Sequence, residues 1–238
     1  MESMVLIPLL MATLATPAET VIFYYETRPP LTYVEGQGLG GLVGGPAYAA
    51  MQAAAIPASL VEAPFKRHMA LIEQNRERAC AIGRFKTPER ERLGKYSLPI
   101  YRDGSFVAMV RASDHRMGNG SKLLALLGRR DIRVVLKEGY SYGPTLDAAL
   151  AQMQAQRINT PDTGSGIVRM VAMNMADLTI AAEEEALTLL AEHDEQRGVV
   201  TVRRFGDMPP GELRYFFCSK QVPDSVMDRL NAALSPLK

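Results

Sequence analysis

The chain has 238 residues, of which 47% are hydrophobic and 22% charged, so it can build one large or two small cores. Its formal net charge of +1 leaves no whole-protein field that would attract nucleic acid or an anionic membrane. Two cysteines, Cys80 and Cys218, and three scattered histidines form no metal-ligand pattern, so neither a metal nor a cofactor is predicted.

An uncharged, mostly apolar run extends from Met4 to Ala18 and is broken by Pro8. It is too short to span a bilayer, but it suits the apolar region of a secretory signal, with a small residue at the end for cleavage. The usual basic leader is missing, because the first basic residue is Arg28. We predict a signal peptide over residues 1–18 and export to the periplasm; the alternatives are a buried segment or a misassigned start.

The first folded stretch alternates strands and helices between Val21 and Gly83. This β-α-β-α-β order is typical of a parallel sheet flanked by helices. The predicted strands are 21–25, 59–62 and 79–83, and the predicted helices are 46–55 and one that begins at Pro64. Glycines 36, 38 and 41 formally match the G-x-G-x-x-G dinucleotide pattern, but the Pro29-Pro30 loop separates them from the preceding strand. Dinucleotide folds place these glycines directly after the strand, so no nucleotide is predicted.

A second alternating unit follows, and one more strand and helix end the chain. The predicted strands are 106–110, 132–136, 159–160, 177–181, 199–203 and 213–218, and the predicted helices are 122–127, 144–156, one starting at 162 or 163, 183–196 and 223–234. If the last strand returns to the first sheet, the second unit is an insertion, and the chain crosses between lobes near Gly104 and Pro210. Such a pair of crossings makes a hinge beside a ligand cleft.

The predicted fold class is therefore α/β, with two α/β lobes joined by a two-strand hinge. The first lobe would contain residues 19–104 and 211–238, and the second lobe residues 105–210.

The stretch from Ala79 to Arg90 begins as an apolar strand and ends as a polar loop. Gly83 permits a close backbone approach, Pro88 suits the first turn of a helix, and Arg90 presents a charged fork suited to a carboxylate. Open α/β sheets bind small molecules at such strand ends. The competing interpretation is a surface loop with ordinary charges.

Several short motifs follow one another along the chain. They are the Pro29-Pro30 loop, Gly83 with Thr87-Pro88-Glu89-Arg90, Ser97-Leu98-Pro99, the run from Lys137 to Gly143, Ala176-Asp177 and the tail Leu230-Asn231-Ala232-Ala233-Leu234. In this order and spacing the chain resembles the periplasmic solute-binding proteins of ABC importers, in the polar-amino-acid-binding class. The resemblance covers nearly the whole chain from Val21 and implies the type II periplasmic-binding fold.

The resemblance implies a ligand site at the cleft. Arg90 matches the arginine that clamps a ligand carboxylate, beside Lys86 and Thr87. Lys137 and the turn Gly139, Tyr140, Ser141 and Tyr142 match the ligand-binding turn of the second lobe, where a helix N-terminus favours anions. The aromatic platform of the first strand's loop matches Tyr25 or Tyr33. We predict that Tyr25, Tyr33, Phe85 and Tyr140 form an apolar wall of the cleft, with at least two of them at the space between the lobes.

Two positions depart from the family pattern. Phe85 stands where the family has a threonine or serine that helps to hold the carboxylate. Ala182 stands where the family has the acid that binds the ligand ammonium, and the adjacent Glu183 would substitute only by a register slip. The resemblance therefore implies a binding role, and these two departures remove groups with which the family holds an amino acid.

The resembled fold also brings the two cysteines together. It makes the strand that begins near Cys80 an antiparallel neighbour of the strand that ends at Cys218. Opposed residues of such strands are close enough for a disulfide, which an oxidising periplasm would permit. Two buried free thiols are the alternative, and either reading places the cysteines side by side.

The leading functional hypothesis is a monomeric, non-catalytic protein that captures a small carboxylate-bearing or amino-acid-like ligand for an ABC permease. A ligand-sensing module of the same fold is the first alternative. The second is a dehydratase-like enzyme, with Glu26 or Glu183 as the candidate general acid. No nucleophile elbow or paired-carboxylate motif supports catalysis.

Overall fold

The structure is a computed structural model that describes residues 20–118, 120–192, 198–208 and 210–234. The predicted signal segment lies outside these residues. Within them, no helix combines the length and the apolar character that a membrane crossing requires.

The first lobe is built on a six-stranded sheet. Its strands are β1 (Val21–Tyr25), β4 (Ala58–Glu62), β5 (Ala79–Arg84), β6 (Lys95–Tyr96), β7 (Tyr101–Arg102) and β13 (Leu213–Cys218). They lie in the order β4-β1-β5-β13-β6, with β7 paired to β13. Strand β1 is parallel to both β4 and β5, as the alternating sequence pattern predicts, and β13 is antiparallel to β5.

Helices cover both faces of this sheet. The helices of this lobe are α1 (Gly44–Ala53), α2 (Phe65–Gln74), α3 (Pro88–Leu93) and α8 (Asp224–Leu234). One apolar cluster joins the sheet to α1 and α8, through side chains such as Met51 and Leu230, and another joins it to α2 through Phe65 and Ile72. A hairpin of β2 (Tyr33–Glu35) and β3 (Gly38–Gly40) fills what the sequence predicts as a loop.

The second lobe has a five-stranded sheet. Its strands are β8 (Phe106–Arg111), β9 (Arg133–Lys137), β10 (Gln156–Thr160), β11 (Leu178–Ala182) and β12 (Val200–Arg203). They lie in the order β10-β9-β11-β8-β12. The sheet is mixed, because β8 runs antiparallel to both β11 and β12. Its helices are α4 (Leu123–Leu127), α5 (Pro144–Ala151), α6 (Gly164–Ala172) and α7 (Glu183–Glu192).

Two chain segments run side by side between the sheets. Leu213 pairs with Arg102, and the Asp103 N–H donates to the Glu212 carbonyl at 2.9 Å. A Cβ added to Gly211 would lie 1.8 Å from the Asp103 carbonyl oxygen, so this close approach requires glycine. The pair forms the two-strand hinge, beside the predicted crossings at Gly104 and Pro210.

Cys80 and Cys218 are paired residues of β5 and β13 and form a disulfide. Both side chains are fully buried. The prediction that the two cysteines are neighbours is confirmed, and of its two alternatives the structure has the bonded one.

Candidate functional site

The facing surfaces of the two lobes enclose adjoining cavities. We call one of them the arginine chamber; it is lined by Arg28, Arg84, Arg90 and Arg214 together with aromatic side chains of both lobes. A second cavity, the lobe-2 pocket, extends from Arg28 and Tyr140 towards the apolar side chains of Met109, Ile167 and Leu189. A third lies against the first lobe, beside Glu26 and Arg84. Four guanidinium groups therefore converge on one cleft.

Local sequence at the end of β5 shapes the arginine chamber. Gly83 has a φ of +74°, and an added Cβ would also lie 2.9 Å from a Val43 methyl group. The chain leaves the strand there and starts α3 at Pro88, where Thr87 accepts a hydrogen bond from the Arg90 N–H at 3.3 Å. This capped turn places Arg90 beside the strand end that carries Arg84.

Arg84 and Arg90 lie together over one aromatic ring. Their guanidinium carbons are 5.1 and 5.6 Å from the centre of the Phe65 ring. Arg84 donates to the Ile82 carbonyl at 2.9 Å and Arg90 to the Phe85 carbonyl at 3.2 Å. In the part of the chain that the structure describes, neither forms an ion pair with a carboxylate. Burial lowers the pKa of Arg84 to about 10; Tyr140 and the negative charge of Glu26 act against this effect, and the positive charges of Arg214 and Arg90 add to it.

The other two arginines of the chamber are neutralised within the protein. Arg28 forms a two-point ion pair with the buried Glu185 at the start of α7. Arg214 donates to both carboxylate oxygens of Asp103, at 2.5 and 2.7 Å, in the hinge. Their positive charge is already matched, so Arg84 and Arg90 carry the unmatched charge of the chamber.

Tyr140 connects the two lobes across the cleft. Its hydroxyl donates to Glu26 Oε2 at 2.6 Å, and its ring lies 4.6 Å from the ring of Phe65, centre to centre. The Arg28 guanidinium lies 4.9 Å above the same ring. Burial raises the pKa of Tyr140 to about 12, so the hydroxyl stays protonated and keeps donating at neutral pH.

Six of the predicted ligand residues line these cavities. Arg90, Phe85 and Ser141 line the arginine chamber, Lys137 lines the lobe-2 pocket, and Tyr140 and Tyr142 line both. The polar groups of the second-lobe turn are used internally, since Asp147 accepts from the Ser141 hydroxyl at 2.5 Å and the Tyr142 N–H at 2.8 Å. Lys137 Nζ likewise donates to two backbone carbonyls at 2.7 Å.

The other predicted residues lie outside the cavity linings. Tyr25 is buried in the first lobe's core, and the ring of Tyr33 packs over Gly40 in the hairpin. Lys86 lies 4.6 Å from the centre of the Tyr215 ring, and Thr87 serves as the cap of α3. Glu183 forms an ion pair with the exposed Arg204, so the register slip that would bring it into the cleft does not occur. Ala182 is buried and brings no acid in its place.

Sequence reasoning missed four residues of the cleft: Arg28, Arg84, Arg214 and Glu185. Arg84 stands inside the very stretch that the sequence singles out, one residue after Gly83. The alternation of side chains along a strand could have identified it as a neighbour of the ligand loop. The partners of Arg28 and Arg214 are 157 and 111 residues away, and no local pattern discloses such contacts.

The ion pair of Arg28 and Glu185 joins the lobes directly, so weakening it should favour opening. Glu185→Gln removes the charge but keeps the side-chain size. We expect the ratio of open to closed molecules to rise about tenfold or more without added ligand, because a buried charge pair is lost. Small-angle X-ray scattering should record a larger radius of gyration. Glu183→Gln on the same helix is the matched control and should leave it unchanged. An unchanged radius for Glu185→Gln would contradict this role.

No family model and no curated protein matches the chain. Solved structures do match. One comes from work on glutathione import via GshT and the cystine ABC importer TcyBC of Streptococcus mutans, with 16% identity, 92% and 89% of the two chains covered and a TM-score of 0.72. Another is the ancestral amino-acid-binding protein AncCDT-1, a precursor of cyclohexadienyl dehydratase, with 15% identity, 92% and 88% of the two chains covered and a TM-score of 0.69. A third is the GluR0 ligand-binding core from Nostoc punctiforme with L-glutamate, with 20% identity, 91% and 92% of the two chains covered and a TM-score of 0.66. These likenesses establish the fold, two α/β lobes around a cleft.

Proposed function

We propose that the protein captures a small carboxylate-bearing solute between its lobes and delivers it to an ABC importer. The observation that carries the proposal is the pair Arg84 and Arg90, which face a cleft cavity without a carboxylate partner among the described residues. A guanidinium fork binds a carboxylate through two parallel hydrogen bonds. A ligand carboxylate in the chamber would supply the negative charge that these two groups lack.

The residue roles follow from this arrangement. Arg90 is the principal clamp and Arg84 its neighbour, while Phe85, Tyr140 and Tyr142 form the walls of the site. The donors of the second-lobe turn are already taken by Asp147, so they contribute less than the arginines. Lys137 adds positive charge at the edge of the lobe-2 pocket.

The lobes are residues 19–104 with 211–238 and residues 105–210, and they move about the paired segments of the hinge. The protein works outside the cytoplasm as a monomer with a permease as its partner. The disulfide of Cys80 and Cys218 supports this location, because such bonds persist in oxidising compartments. The glutathione-import neighbour supports the importer partner.

Arg90→Lys tests the clamp. Lysine keeps the positive charge but loses the two-point fork, so affinity for the bound carboxylate should fall about tenfold or more. Calorimetric titration with the ligand retained during purification, or with a carboxylate that binds, measures the change. Arg92→Lys, an exposed position on the same helix, is the control and should bind like the wild type. Equal affinities for the wild type, Arg90→Lys and Arg92→Lys would show that Arg90 does not bind the ligand.

The enzymatic alternative rests on Glu26, the one candidate acid that lines the cleft. The precursor of cyclohexadienyl dehydratase among the structural neighbours is a reason to test it. We expect no turnover of cyclohexadienyl acids by the purified protein, whereas measurable turnover abolished by Glu26→Gln would favour an enzyme. A pull-down of the partner protein would separate the sensing alternative from transport.

A further inference from the structure

The charge balance of the cleft defines the class of its ligand. Building on the proposed function, we infer that the ligand is a small dianion, a dicarboxylate or a phosphate monoester, that carries no ammonium group.

The arginine chamber is lined by four guanidinium groups and by no carboxylate among the described residues. Glu185 compensates Arg28, and Asp103 compensates Arg214, so Arg84 and Arg90 remain. In the adjoining cavities Glu26 adds one negative charge, which attracts Arg84, and Lys137 adds one positive charge. Two positive charges therefore remain in excess over the cleft as a whole. A ligand with two negative charges balances them, and a monoanion leaves one of them without a counter-charge.

Both guanidinium groups lie against the Phe65 ring, with their carbons 5.1 and 5.6 Å from its centre, and both line the same cavity. Burial is the main cause of the low pKa of Arg84, and the positive charge of Arg90 adds to it. Two anionic groups on one small molecule, or one doubly charged phosphate, would offer a partner to each fork. The forks themselves match the geometry of either group.

Of the described residues that line the three cavities, only Glu26 and Glu185 carry carboxylates. Glu185 is paired with Arg28 through two contacts. Glu26 accepts a hydrogen bond from the Tyr140 hydroxyl, and its charge attracts Arg28 and Arg84. The position at which the resembled family places its ammonium-binding acid is the buried Ala182. An ammonium group would therefore enter a cleft with an excess of positive charge and compete with two arginines for Glu26.

Calorimetric titration of the wild-type chain tests the inference. The panel contains the straight dicarboxylates from malonate to pimelate, glycerol 3-phosphate, aspartate and glutamate, and monocarboxylates of matched carbon number. The tightest dianion should bind at least about tenfold more tightly than the amino dicarboxylate and the monocarboxylate of the same length. Comparison of glycerol 3-phosphate with the dicarboxylates shows which kind of dianion the site prefers.

The variant Arg84→Gln makes the same test at the residue level. It should lower the affinity for the best dianion by about tenfold or more and that for the matched monocarboxylate by less than about threefold. Arg92→Gln is the exposed control, and melting temperatures of both variants show that they are folded. An equal loss for both ligand classes would overturn the two-charge account. If Arg84→Gln does not fold, the wild-type panel decides alone.

The outcomes separate this inference from the proposed function. If glutamate, aspartate or a monocarboxylate binds as tightly as the best dianion, the inference fails while carboxylate capture stands. If no compound of the panel binds at millimolar concentration, the dianion inference and carboxylate capture both fail.

Discussion

Replacing both Cys80 and Cys218 by alanine should lower the free energy of unfolding by about 3–5 kcal/mol. The disulfide joins residues that are 138 positions apart, so it closes more than half of the chain into one loop. A cross-link over such a long loop removes much conformational freedom from the unfolded chain, and small losses of packing at two buried positions add to the effect. Urea unfolding of the two proteins in non-reducing buffer measures the difference.

Two controls accompany the cysteine experiment. Under a reducing agent the wild type should fall towards the stability of the double variant, because the bond accounts for most of the difference between them and packing for the rest. Ligand affinity of the folded variant should stay within about twofold, since neither cysteine lines a cleft cavity. Equal stability of wild type and variant in non-reducing buffer would show that the bond does not form.

The second large effect concerns Asp177, at the start of β11. Its buried carboxylate accepts hydrogen bonds from Arg111, Arg116 and Arg133, at 2.7 to 3.1 Å. Asp177→Asn should destabilise the protein by about 3 kcal/mol, because it removes a buried charge shared by three guanidinium groups and leaves Arg133 without a carboxylate, while Arg111 and Arg116 keep Asp114. The exposed pair of Glu138 and Lys66 offers the control, and Glu138→Gln should change stability by less than about 1 kcal/mol.

This stabilisation should depend on pH. Burial acts to raise the pKa of Asp177, but the hydrogen bonds from Arg133, Arg111 and Arg116 outweigh burial and hold it far below the ordinary value of 3.8. A carboxylate with a lowered pKa stabilises the fold fully above its unfolded pKa, and the effect is lost as pH falls towards the folded one. The difference between wild type and Asp177→Asn should therefore shrink below about pH 4. A difference that is constant from pH 7 to pH 3 would contradict this assignment.

The sequence predicted the architecture well because local patterns encode it. Apolar strand runs alternate with amphipathic helices in both units, and such alternation predicts parallel strands with helices packed on the sheet. The last strand was predicted at its observed bounds, Leu213–Cys218, since dense β-formers sit between turn residues. The hairpin at Tyr33–Gly40 was missed, because its glycines read as a loop.

The site was predicted only in part, because several of its charged side chains pair with residues that are far away in the sequence. Arg90 and Tyr140 lie in motifs that sequence can locate, and both line the cleft. Glu183 and Glu185 are two positions apart on one helix, which turns them in different directions. One meets Arg204 outside the cleft and the other meets Arg28 within it. Which of them faces the ligand depends on the packing of α7, and no motif in the sequence specifies that packing.

Native mass spectrometry of freshly purified protein tests most directly the claim that Arg84 and Arg90 hold an acidic solute in the cleft. The account predicts a retained small molecule that carries acidic groups, is released on unfolding and is missing from the double variant Arg84→Gln/Arg90→Gln. A retained molecule without an acidic group, or one that the double variant retains equally, would contradict it.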